Sequence, residues 1–416
     1  MDTNMNSTPS GQRVHIGFFG KRNAGKSSLV NAVTNQSLAV VSDKKGTTTD
    51  PVMKSMELLP LGPVVMIDTP GLDDEGELGA LRVEKTKEII RKTDIAVVVL
   101  VAQEDVSEEE KKLLVQLREK NVPVIIAVNK IEIMKQAKGE QAVKSYIEGL
   151  QNQYGVRVVP VSAKEKQGLT ELKEALGTML SKDSIEQPLV ADLVSENDMV
   201  VLVVPIDSSA PKGRLILPQQ QVIRDLLEAG AASVVVRESE LAHALKEFCK
   251  KPAMVITDSQ VFATVAKNTP EDIPLTSFSI LMARYKGFLE TAVQGVAAIA
   301  NLKDGDRILI AEGCTHHRQC EDIGTVKIPK WLREKTGREL TIDTCSGREF
   351  PEDVSGYALV IHCGGCMLNE KEVNYRMQQA IEQGVSFTNY GIAIAYMKGI
   401  LKRSIELFPE LVRLIC

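Results

Sequence analysis

The sequence predicts an α/β protein of three consecutive units, and three observations predict it. Short apolar runs of strand length recur along the chain and stop abruptly at glycine, hydroxyl, carboxylate or cysteine residues, as strands do at the rim of an open sheet. Stretches with apolar residues at helical spacing lie between them. The third observation is length, since 416 residues exceed one ordinary core and suit about three domains of ~150 residues. The polar stretch SKDSIEQP at 181–188 ends in proline and reads as a linker, which places the units at 1–182, 189–270 and 271–416.

Composition excludes several classes. At 4% the aromatic content is too low for a platform that stacks single-stranded nucleic acid. A net charge of −5, from 50 Lys+Arg against 55 Asp+Glu without a basic tail, leaves no footprint for phosphate-backbone binding, so nucleic acid is not an expected partner. The opening MDTNMNSTPSGQR lacks the apolar core of a signal peptide. The longest apolar run, 95–102, is strand-sized and far short of the ~18 residues that span a bilayer. A cytoplasmic protein without a membrane partner is expected. Seven cysteines in such a chain favour thiol, metal or redox use over a disulfide framework.

In the first unit the run 14–19 leads directly into GKRNAGKSS, and 29–33 can begin the following helix. Gly20, Gly25, Lys26 and Ser27 satisfy the phosphate-loop pattern G-x-x-x-x-G-K-[ST] in its required strand-before, helix-after setting. Glycines let the backbone N–H groups of Gly20–Ser28, including those of Ala24 and Ser28, curl around phosphate. Lys26 reaches the β/γ oxygens, Ser27 offers a hydroxyl to Mg²⁺, and the helix start adds its positive end. Further strand-then-motif units follow in order. GTTTD at 46–50 carries Thr48, able to meet Mg²⁺ and the γ-phosphate. The run 64–67 ends in DTPGL, with Asp68 for Mg²⁺ and Gly71 to sense the γ-phosphate. The run 124–128 ends in Asn129, Lys130 and Glu132, and 158–161 ends in Ser162, Ala163 and Lys164, which together suit a base pocket. The expected reading is a P-loop GTPase with Lys26, Thr48 and Gly71 as its catalytic residues. SEEEKKLLVQLREK at 107–120 reads as a helix with a solvated face, and the acidic segment 73–77 as part of a switch.

This unit resembles the tRNA-modification (TrmE-like) and Era-like GTPases. Three details refine the resemblance. Leu72 stands where Ras-like proteins carry a water-positioning glutamine, so that device is missing. Asn23 matches the asparagine that helps hold K⁺ near the phosphates in the TrmE-like branch, which implies potassium-stimulated hydrolysis. Glu132 replaces the aspartate of the N-K-x-D motif; it keeps the charge on a longer arm, and GTP is expected over ATP.

The middle unit predicts strands at 199–206, 233–236 and 253–256 alternating with helices at 219–228, 238–248 and 260–267. It carries no cluster of catalytic residue types; His243 and Cys249 read as structural, and Asp207–Ser209 as a turn. A small domain without a site suits association, so a homodimer is expected to form here.

The third unit predicts helices at 280–290 and 292–300, strands at 307–311, 340–342 and 357–361, and helices at 330–335, 369–383 and 391–403. The first strand runs into Cys314, His316 and His317, and the last named strand into His362, Cys363, Gly364, Gly365 and Cys366. On residue chemistry alone zinc, an iron–sulfur cluster and an unmetallated core all remain open. The GTPase unit, small middle unit and C-x-H…H-C-x-x-C combination together resemble the HydF family of FeFe-hydrogenase maturation GTPases over essentially the whole chain. The resemblance implies a 4Fe-4S cluster on Cys314, Cys363 and Cys366 with a variable fourth ligand, and His316 and His362 as ligands or groups packed behind them. It also implies a scaffold and carrier that receives a di-iron precursor made with two radical-SAM maturases and delivers it to apo-hydrogenase. Cys320, Cys345 and Cys416 fall outside the motif and read as structural thiols. The alternatives are a ribosome- or tRNA-associated GTPase with a structural zinc domain and an ordinary iron–sulfur scaffold.

Overall fold

The computed structural model describes residues 10–34, 51–59, 61–71, 77–179, 188–206, 215–313, 322–347 and 349–415. Thr48, the rest of 46–50, Leu72, residues 73–76, Asp207–Ser209, Cys314, His316, His317, Cys320 and Cys416 lie outside these residues. The chain forms two compact units, Met1–Ile185 and Glu186–Cys416.

The first unit contains strands β1 (Val14–Phe19), β2 (Val52–Leu58), β3 (Gly62–Asp68), β4 (Ile95–Val101), β5 (Val124–Asn129) and β6 (Arg157–Pro160). They form one sheet in the order β2-β3-β1-β4-β5-β6. All neighbours are parallel except β2, which runs antiparallel to β3 at the edge. Helices α1 (Lys26–Thr34), α2 (Glu77–Lys92), α3 (Glu108–Glu119), α4 (Ile131–Tyr154) and α5 (Leu169–Met179) connect the strands. The run IAVVVLV makes β4 because both its faces are covered; six of its seven residues are buried, and a doubly covered parallel strand favours β-branched residues throughout. Helix α3 begins at a capping box, in which the Ser107 hydroxyl accepts from the Glu110 amide and the Glu110 carboxylate accepts from the Ser107 amide. Glu110 therefore departs from the solvated face expected of this helix and is buried. Helix α4 is interrupted at Gly139, whose φ of 79° breaks the helical path.

The second unit holds strands β7 (Met199–Val203), β8 (Ala232–Val236), β9 (Met254–Thr257) and β10 (Leu275–Ser277), then β11 (Arg307–Glu312), β12 (Thr341–Ser346), β13 (Leu359–His362) and β14 (Ser386–Asn389). They form two four-stranded sheets, β10-β9-β7-β8 and β12-β11-β13-β14, each wholly parallel. Helices α6 (Leu217–Glu228), α7 (Leu241–Glu247), α8 (Phe262–Asn268), α9 (Phe278–Tyr285), α10 (Leu289–Gly295), α11 (Ile328–Thr336), α12 (Glu370–Glu382), α13 (Tyr390–Met397), α14 (Leu401–Ser404) and α15 (Pro409–Val412) pack on them. The first of these sheets takes in β10, beyond the expected division at 270. One apolar core, from Leu189 to Leu411, runs through both sheets.

Half-buried arginines tie the segments of this unit together. Arg403 of α14 donates to the carbonyls of Ala266, Thr269 and Pro270, which close α8. Arg284 of α9 donates to Pro188 O and Asp192 at the start of the unit. The single helix expected over 391–403 is two, separated at Gly399 (φ 74°), and that over 292–300 becomes α10 followed by a 3-10 turn. Helix α10 lies directly on β14: the Thr388 hydroxyl donates to Ala292 O at 2.8 Å. A Cβ on Gly295 would stand 2.1 Å from Phe387 O. Replacing Gly295 by Ala must push α10 off the sheet, and we expect a loss of about 1–3 kcal/mol, the usual range for overpacking, read as a lower urea midpoint with unchanged m-value.

Candidate nucleotide and metal sites

The phosphate loop lies where β1 meets α1, beside the point at which strand order turns outward on both sides of β1. Close approach dictates its glycines. A Cβ on Gly20 would stand 2.4 Å from Val99 O, and one on Gly25 (φ 90°) 2.3 Å from Asn129 Nδ2. Lys26 is buried, and its ammonium donates to Gly20 O at 2.9 Å and Lys21 O at 2.7 Å, so it sits inside the ring the loop makes. Asn23 is exposed and left-handed (φ 59°), on the open side of the loop. Ala24 is buried beneath the loop, while Ser28 lines the cleft described below.

Ser27 and Asp68 meet across the loop. The Ser27 hydroxyl donates to Asp68 Oδ2 at 2.5 Å, and Asp68 Oδ1 is buried without a hydrogen-bond partner. Burial pushes the Asp68 carboxyl up from its ordinary value, opposed by the Ser27 hydrogen bond and the Lys26 charge. A hydroxyl beside a carboxylate with an orphaned oxygen fits Mg²⁺ held directly by Ser27 and through water by Asp68. Gly71 follows three residues on.

The base side is built around Asn129, the buried last residue of β5. Its Nδ2 donates to Ala24 O at 2.9 Å, and its Oδ1 accepts from Ala163 N at 3.1 Å. One side chain thus joins the phosphate loop to the turn 162–167. That turn is closed by paired backbone bonds between Ser162 and Gln167, and the Ser162 hydroxyl accepts from Glu165 N. Lys130 takes the left-handed conformation (φ 61°) that turns β5 into α4. A cleft of about 1360 Å³ opens here, lined among others by Gly25, Asn129, Lys130, Glu132, Ala163 and Lys164. Glu132 Oε2 is buried there with no hydrogen-bond partner. An unpaired buried carboxylate oxygen in this cleft suits the two N–H groups on one edge of guanine.

The second site lies at the matching point of the last sheet, where β12 and β13 flank β11. Cys363 continues the ladder, its N–H donating to Ala311 O at 2.9 Å. Its sulfur accepts from Gly313 N at 3.0 Å and Gly365 N at 3.4 Å. Of the glycine pair, Gly365 is the constrained one, with φ 65° and Val373 2.8 Å from where a Cβ would be. Burial pushes the Cys363 thiol up, opposed by those two amides. Burial, and next Cys363, push the Cys366 thiol up to about 12, opposed by the Lys286 charge. Two thiols with backbone donors aimed at sulfur fit thiolate ligation of a metal, which would displace their protons. Cys314, one residue past Gly313, lies outside the described residues, so the third expected thiol is not placed.

His362 is placed behind this loop. It is wholly buried, its Nδ1 lies 2.7 Å from Cys363 O, and Nε2 accepts from Arg376 at 3.4 Å, which assigns the proton to Nδ1. The ring stacks on Phe387 and meets the edge of Phe288. Burial first, and then the Arg376 charge, lower its pKa to about 3, so it is neutral. Both nitrogens are engaged within the protein, and the ring orients the Cys363 peptide. Arg376 is held by Glu372 and by Gly347 O, and buried Lys286 donates to Leu368 O at 3.0 Å. Sequence reasoning missed Arg376, Glu372, Lys286 and Phe387. Glu372 and Arg376 sit four apart on a helix, a spacing equally common on solvated faces, and only their surroundings distinguish them.

Family profiles match three successive stretches. "Hydrogen maturase F tetramerization domain" matches 290–407, "Hydrogen maturase F dimerization domain" 189–287, and "50S ribosome-binding GTPase" 15–130. The tRNA modification GTPase MnmE of Clostridioides difficile (strain 630) is 32% identical over 170 residues, 41% of this chain and 35% of that protein. GTPase Era of Heliobacterium modesticaldum (strain ATCC 51547 / Ice1) is 28% identical over 193 residues, 44% of this chain and 63% of that one. The solved G domain of the T. maritima FeoB iron transporter is 25% identical, covering 40% of this chain and 99% of that chain with a TM-score of 0.31. The chain spans about a third of the length of MnmE. No helix among the described residues is long and apolar enough to cross a membrane.

If Glu132 reads guanine, Glu132→Gln, which keeps size and loses charge, lowers the preference for GTP over ATP by roughly 10–100-fold, the worth of a charged hydrogen bond. Competition binding of the two nucleotides measures it, and an unchanged ratio would remove Glu132 from the base pocket.

Proposed function

The chain belongs to the hydrogen maturase F (HydF) family, and from that premise we propose that it is a GTP-hydrolysing carrier in the maturation of FeFe-hydrogenase. Its N-terminal unit binds GTP and Mg²⁺ and hydrolyses GTP to GDP and phosphate, with Lys26, Thr48 and Gly71 at the γ-phosphate and Asn23 holding K⁺. Its C-terminal sheet holds a 4Fe-4S cluster on Cys314, Cys363 and Cys366. The open fourth position docks a di-iron precursor, made with two radical-SAM maturases, before delivery to the apo-hydrogenase. The dimerization and tetramerization profiles support a homo-oligomer, with a dimer formed through the middle domain.

The observation that carries the cluster reading is the Cys363 sulfur, which accepts two backbone N–H groups at the carboxyl end of a parallel strand. Such donors suit a sulfur that carries negative charge in a cluster. The family implies the iron, and the chain's part is to present thiolates, donate amide hydrogen bonds and shield the loop with Phe288, Phe387 and the neutral His362. GTP hydrolysis lends no chemistry to the movement of an organometallic unit. Its role is a switch, in which the segments around Thr48 and 73–77 order on GTP–Mg²⁺ and relax after hydrolysis to bias partner docking.

A second reading, a ribosome- or tRNA-associated GTPase with a structural zinc domain, draws on the 15–130 profile and the MnmE and Era likenesses. The two hydrogen maturase profiles over 189–407 weigh against it. Anaerobic reconstitution with iron and sulfide, followed by EPR of the dithionite-reduced protein, separates the two. A 4Fe-4S signal that is lost in Cys363→Ala supports the carrier, whereas stoichiometric zinc without iron uptake supports the second reading. For the switch, partner exchange is expected to differ between the GTP- and GDP-loaded protein and to lose that difference in Lys26→Ala. Identical exchange rates in all states would remove the coupling.

A further inference from the structure

Two basic residues, Lys21 and Arg22, stand inside the phosphate loop, and the structure gives them different neighbours. Lys21 is engaged toward α3: its ammonium donates to Asp105 O at 3.2 Å and lies 3.7 Å from Glu110 and 3.9 Å from Glu104. Its backbone N–H faces Glu110 at 3.4 Å. Arg22 borders the turn that follows β3 instead. Its N, Cα and Cβ all stand 2.9 Å from the point a Cβ on Gly71 would occupy. Gly71 does not have the positive φ that favours glycine, so it is the closeness of Arg22 that leaves no room for a side chain there. The Arg22 side chain therefore starts against the Asp68–Gly71 turn, on the side of the loop where Lys26, Ser27 and Asp68 gather for the terminal phosphates.

We propose that Arg22 is a catalytic residue for GTP hydrolysis, its guanidinium meeting the γ-phosphate in cis; this rests on the GTPase reading above. In the step, a water oxygen forms a bond to the γ-phosphorus. The bond to the bridging oxygen breaks, its electron pair stays with GDP, and both protons of the water leave on the phosphate, as H2PO4−. Negative charge spreads over the γ-phosphoryl and bridging oxygens, and Arg22 stays protonated throughout while its planar donors meet that charge. The residue after Gly71 is Leu72, an apolar side chain that cannot orient water, so rate enhancement falls on cations placed around the phosphates.

The test measures steady-state hydrolysis on the full chain, with GDP affinity from a fluorescent nucleotide analogue as the check on folding. Arg22→Ala is expected to lower kcat by roughly 100-fold or more, the low end for a lost transition-state donor, with KM and GDP affinity within about threefold of the parent. Arg22→Lys, which keeps charge and loses the fork, recovers part of the rate. An unchanged or higher kcat in Arg22→Ala, or a loss confined to nucleotide affinity, overturns the proposal. Absence of turnover in the unsubstituted protein overturns the GTPase reading itself and the proposal with it.

Discussion

Both sites depend on one constraint of parallel sheets. Where neighbouring strands are connected outward in opposite directions, the chain leaves a crevice at their carboxyl ends, and the backbone there has N–H groups without a ladder partner. In the first unit this point lies at β1, and the backbone that leaves the ladder there is the phosphate loop. In the last sheet it lies between β11 and β13, and two of the amides, Gly313 and Gly365, are turned onto the Cys363 sulfur. The same geometry that suits an anionic phosphate suits an anionic thiolate.

Around each crevice, buried polar groups hold the loops in place. Asn129 uses both ends of its amide to join the phosphate loop to the turn that follows β6. Arg376 does comparable work in the last sheet, joining Glu372, Gly347 O and His362 while packing over Phe350. Removing one partner of a buried ion pair such as Glu372–Arg376 typically costs about 3–5 kcal/mol, because the other charge is left without compensation. The pair therefore constrains how the Cys363 loop is presented more than it adds to net stability.

Much of the first unit was legible because each motif carries its own local context: a β-branched run, a glycine turn, then a helix start. The missing pieces were those without such context. Strand β2 is a half-exposed edge, and β10 and β14 are three and four residues long, too short for a period to register. In β14, Thr388 and Asn389 are polar residues within a strand where the sequence predicted no element. They are wholly buried because Thr388 donates to Ala292 O and Asn389 to Ser279 O. The boundary expected at 270 follows from the same blindness, since β10 closes the second sheet beyond it.

By itself the sequence determined the chemistry available at each rim, namely the glycines, Lys26, Ser27, Asp68, Asn129, Glu132 and the cysteines of 363–366, because these types are read from adjacent residues. Tertiary structure decided what each is free to do. His362 stands next to Cys363 in the chain and has the chemistry of a ligand. Packing between Phe288 and Phe387, with Arg376 on one nitrogen and Cys363 O on the other, makes it a neutral support. Arg22 is one of two adjacent basic residues, and only contact with Gly71 separates it from Lys21. Spacing along a chain specifies which groups can meet, whereas burial and hydrogen-bond partners, which come from distant segments, set which lone pairs and charges remain available.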